Sequence, residues 1–137
     1  MDPHQQLARA EAEKDEAKTN LTEAKTNLTE AKTSITEAKA EYKKAQGKYE
    51  QDKSPVNEQV YLAAVAFLAK AQDIFAKAQD IFAKAQDIIA EAQKRVGIHD
   101  DEVLRLARAL EQGGVWFAVT LSRYFHIHTH HYMLIFL

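Results

Sequence analysis

The chain has 137 residues and a formal charge of −2, with 18 basic side chains against 20 acidic ones. Near-balanced charge of mixed sign excludes the one-signed field that recruits nucleic acid, so no nucleic-acid partner is expected. Four Gly and two Pro are too few for a turn-rich β protein, and the absence of Cys excludes disulfides, thiol catalysis and Cys-ligated metals.

In chain order, residues 1–18 are polar and acidic and lack the apolar core of a secretory leader, so an intracellular protein is expected. The repeats begin next. Thr19–Lys25 reads TNLTEAK, the next seven residues repeat it, and Thr33–Lys39 reads TSITEAK. A seven-residue period keeps one stripe of a helix facing a partner. The large residues of that stripe are Leu7, Leu21, Leu28, Ile35, Tyr42 and Tyr49, with Lys14 in the one gap. Taking these as position a of a heptad lettered a to g, position d is alanine after every one but the last: Ala10, Ala17, Ala24, Ala31, Ala38 and Ala45. Small d residues allow close helix approach but bury little area each. A first helix is predicted over residues 4–52.

Ser54-Pro55 then marks a new start, because Ser can accept from the free N–H groups of a first turn and Pro suits the first helical position. A turn near 52–55 makes the two neighbouring helices antiparallel. The second helix is predicted over 56–96. It carries its own repeats, AKAQDIF twice from Ala69 and AKAQDII from Ala83. Leu68, Phe75, Phe82, Ile89 and Val96 hold position a, and Ala71, Ala78, Ala85 and Ala92 hold position d. A further apolar row, Phe67, Ile74, Ile81 and Ile88, fills position g. The resulting face is too wide for one partner helix. Either another element covers it or it serves oligomerisation.

Gly97 is read as the end of this helix and the acidic run Asp100-Asp101-Glu102 as the start of a short third one within 97–114. Val103 and Leu110 continue the phase of Val96, which instead favours one helix with a kink. Residues 115–137 are mostly apolar and aromatic. Arg123 and the histidines weigh against a membrane span, since one Arg costs about 2.5–3.5 kcal/mol at a membrane helix centre and each large apolar residue returns only about 0.3–0.6. His126, His128 and His130 would share one face of a strand and could offer three imidazoles to a metal.

The expected fold is all-α: a long antiparallel helical hairpin resembling heptad coiled coils in general, a short third helix and an apolar tail. The expected function is non-enzymatic, with no cofactor: a structural or interaction protein that self-associates or binds a partner helix. Its interaction seam is Leu21, Leu28, Ile35, Tyr42 and Tyr49 against Leu68, Phe75, Phe82, Ile89 and Val96. The alternatives are a membrane-associated coiled coil using the 115–137 tail, and metal binding through the histidines.

Overall fold

The computed structural model describes residues 1–113, and these are all-helical: α1 (Pro3–Gln51) and α2 (Pro55–Gly113) pack against each other. There is no strand among the described residues.

Both helices start in the same way. Asp2 precedes Pro3 and accepts the His4 N–H on Oδ1 at 3.2 Å, while its carbonyl accepts from Gln6 N at 3.0 Å. Ser54 precedes Pro55 and accepts the Asn57 N–H on Oγ at 3.3 Å, while its carbonyl accepts from Glu58 N at 3.0 Å. In each case a side-chain oxygen satisfies a first-turn donor, and proline occupies the position where a missing N–H costs nothing. The linker of residues 52–54 is tied further by the Asn57 amide, which donates to the Asp52 carbonyl at 2.9 Å and to its carboxylate at 3.2 Å.

α1 is 49 residues long and rich in Thr, a modest helix former. Its threonines are accommodated by bonding backwards: Thr26, Thr29, Thr33 and Thr36 each donate to the carbonyl four residues earlier at 3.0–3.2 Å. Such bonds satisfy the hydroxyl within the helix but add nothing between helices.

α2 is 59 residues long and passes through Gly97 without interruption. Among the described residues the expected third helix within 97–114 is therefore not a separate element, since residues 97–113 belong to α2. The energetics explain the correction. A glycine inside a helix costs about 1 kcal/mol relative to alanine. Burying a large aliphatic side chain returns about 1.5–3 kcal/mol. Val103, one turn and a half beyond Gly97, is fully buried, and it keeps the phase of Val96 only if the helix continues.

The described residues form two compact units. One joins residues 1–18 to α2 from Ile88 onward. Its core is Leu7 against Val103, both fully buried, with Val96 and Leu104 packed on them. Here Glu13 is held from both helices, by Arg9 Nε and Arg95 Nη1, each at 3.2 Å. The other unit is Thr19–Asp87 and contains all of the α1 repeats. Its core is a row of alanines: Ala24, Ala31, Ala38 and Ala45 on α1, with Ala71, Ala78 and Ala85 on α2, none more than 9% exposed.

Candidate interaction surface

A seven-residue period places every seventh residue on one stripe, and four stripes matter in the unit Thr19–Asp87. The d stripe is the buried alanine row. The a stripe flanks it. Leu21, Leu28, Ile35, Tyr42 and Tyr49 on α1 are half-buried, as are Leu68, Phe75 and Phe82 on α2. In the other unit Ile89 and Val96 are likewise half-buried. The closest approach thus runs along the alanines, and the large residues close over its edge. That ordering follows from size, since methyl groups let two helix backbones come nearest.

Near the linker the a stripe is aromatic. Tyr61 stacks on Tyr49, with centroids 5.5 Å apart and rings 8° from parallel, and lies tilted at 5.7 Å from Tyr42. The Tyr42 and Tyr61 hydroxyls are 3.4 Å apart. That contact, with a lesser contribution from burial and from the Glu50 charge, holds the Tyr61 phenol above its ordinary value of 10.0. Sequence reasoning missed Tyr61. Its signal was available, because it stands seven residues before Leu68 and so continues the a stripe.

The g stripe of α2 behaves differently. Phe67 is 51% exposed, Ile74 47% and Ile81 58%, and Val60 extends the row by another seven residues at 51%. Among the described residues nothing covers this rail. Such a row of large apolar side chains on one face is the kind of surface that marks a contact with another molecule. Ile88 continues the same spacing in the other unit and is also exposed.

Between the helices, on the side of the g stripe, runs an open groove of about 420 Å³. Its floor is Ala24, Ala31 and Ala78. Asn27 and Ser34 of α1 border one side, with Glu30 outside them, and Ile74 and Ile81 of α2 border the other, with Lys77 outside them. The c stripes form two charged rails at the same edges: Glu23, Glu30 and Glu37 on α1, and Lys70, Lys77 and Lys84 on α2, all exposed. Lys77 also pairs with Asp73 on its own helix at 2.8 Å, which raises its pKa above 10.5.

No group of three or more potential metal ligands occurs among the described residues, and none of the described helices is long and apolar enough to cross a membrane. His126, His128, His130 and the rest of the 115–137 tail lie outside the described residues. No family model, curated protein or solved structure matches the chain.

Proposed function

We propose that the chain is a non-enzymatic interaction protein, an antiparallel coiled-coil hairpin whose α2 presents an apolar rail to a further helix, through oligomerisation or partner-helix binding. One observation carries the reading. Phe67, Ile74 and Ile81 recur every seven residues, the spacing at which a helix meets another helix, yet they stand about half exposed. The groove beside them is shallow and floored by alanine methyls, a shape suited to side chains of a neighbouring rod rather than to enclosing a small molecule.

The reading is tested with the double variant Ile74→Glu/Ile81→Glu. It should keep its helical circular dichroism, because neither side chain belongs to the buried row. For the wild-type chain, the urea midpoint should rise either with its own concentration or with an added synthetic heptad helix bearing leucines at a and d, by mass action on the folded state. The double variant should lose that response. A wild-type midpoint indifferent to both additions, or a double variant that is unfolded at every concentration, overturns it.

A further inference from the structure

We infer that the groove-bearing face of the unit Thr19–Asp87 is the contact of a homodimer, formed with a second copy turned by half a revolution about an axis parallel to the helices. The inference rests on the helix-binding reading above and names its partner.

An isologous contact places the same patch on both copies, so the patch must complement itself under the two-fold operation. This face carries an acidic rail at its α1 edge (Glu23, Glu30, Glu37) and a basic rail at its α2 edge (Lys70, Lys77, Lys84). Rotation about an axis along the helices exchanges the edges. Each copy's glutamates then oppose the other copy's lysines. Rotation about an axis across the helices does not exchange them, and would set lysine against lysine and glutamate against glutamate. The charges therefore select one of the two face-to-face dimers.

Register agrees. Both rails repeat every seven residues, about 10 Å along a helix. Glu30 and Lys77 border the same groove, so they stand at one level in a copy, and a rotation that preserves levels brings Glu30 of one copy to Lys77 of the other. Among the described residues, none of the three rail glutamates takes part in an ion pair. The Lys77–Asp73 pair is an exposed neighbour on one helix, and such pairs exchange cheaply. Between the rails, Ile74 and Ile81 of each copy meet the row that holds Asn27 and Ser34 on the other.

The experiment is a charge-rail exchange followed by sedimentation equilibrium of the full chain. Wild type should be dimeric at about 100 µM and weaken as salt is added. Glu23→Lys/Glu30→Lys/Glu37→Lys makes both rails basic, and Lys70→Glu/Lys77→Glu/Lys84→Glu makes both acidic. Each triple variant alone should dimerise at least about tenfold more weakly, as expected for several partly screened pairs reversed together. Mixing the two should restore dimerisation as a heterodimer. The sextuple variant, with the rails exchanged within one chain, should again form a homodimer. Circular dichroism confirms that every variant is helical.

A wild type that stays monomeric but is still stabilised by the added synthetic heptad helix overturns the homodimer and leaves the helix-binding reading standing. Indifference to both overturns the two together. A wild-type dimer whose strength is unaffected by the acidic-to-basic triple variant, or a sextuple variant that fails to dimerise, overturns the proposed axis.

Discussion

The repeats of α1 and of α2 share a buried alanine row and differ in the faces around it. In the α1 repeats the positions outside the a and d stripes are Thr, Asn, Ser, Glu and Lys, so the helix has one narrow apolar seam. In α2 the same register carries an additional row of Phe and Ile that stands exposed. The packed pair uses the stripe common to both helices, so that stripe is sufficient for the packing. The additional row is surplus to it. A surplus apolar row in water is a standing liability unless something covers it, which is why it carries the functional proposal.

The comparison makes Ala31 and Ala78 equivalent, although one stands in a polar repeat and the other in an apolar one. Ala31→Leu and Ala78→Leu should each destabilise by about 1–3 kcal/mol, since both insert three carbons into the closest approach of the helices. Urea unfolding checks this, and a large inequality between the two would break the idea of one shared row.

The two interior glycines give the next largest effect, in the opposite direction. Apart from the adjoining residues and the helix's own backbone, nothing lies within 4 Å of where a Cβ would stand at Gly47 on α1 or at Gly97 on α2. Gly47→Ala and Gly97→Ala should therefore each stabilise by about 0.5–1 kcal/mol. Loss of stability at Gly97 would mean that α2 is not continuous there.

Thr29→Ala sharpens the contrast between the repeats themselves. It trades a backward-bonding hydroxyl for the best helix former on an exposed face, and should stabilise α1 by about 0.5 kcal/mol. Ala83, exposed on α2, is already alanine, so Ala83→Thr should cost a similar amount. Thermal melts of the two variants, read side by side, check the pair.

The smallest effect concerns the tyrosines by the linker. The folded chain holds the Tyr61 phenol protonated to higher pH than the unfolded chain does. Its contribution to stability is thus complete below the ordinary value of 10.0 and is lost as pH rises through the raised folded value. Tyr42→Phe removes the hydroxyl contact and should flatten that decline, which urea midpoints measured from neutral pH upward would detect.

Much of this was legible in the sequence. The two verbatim repeat sets, with Ser54-Pro55 between them, predict two helices over 4–52 and 56–96, close to the observed bounds at three of four ends. At the fourth end α2 runs on past Gly97: the cost of a glycine is local and visible in the sequence, whereas the distant gain, Val103 packing against Leu7, exists only once both helices are in place. The missed Tyr61 was of another kind. It lies outside the repeated units, so the eye that follows the repeats stops short of it.

The amino-acid order by itself determined the period, and with it which residues share a stripe, because helical geometry fixes that locally. It did not determine which stripe is innermost. The heptad pattern places the large a residues and the d alanines together in one two-residue-wide seam; in the packed helices the alanines form the buried row and the large a residues are only half-buried. Only the tertiary structure decided that, and only it left the g row of α2 exposed between two charged rails. The reason is that burial belongs to a pair of surfaces: what a stripe meets depends on how near the other helix can come, and the methyl groups set that distance.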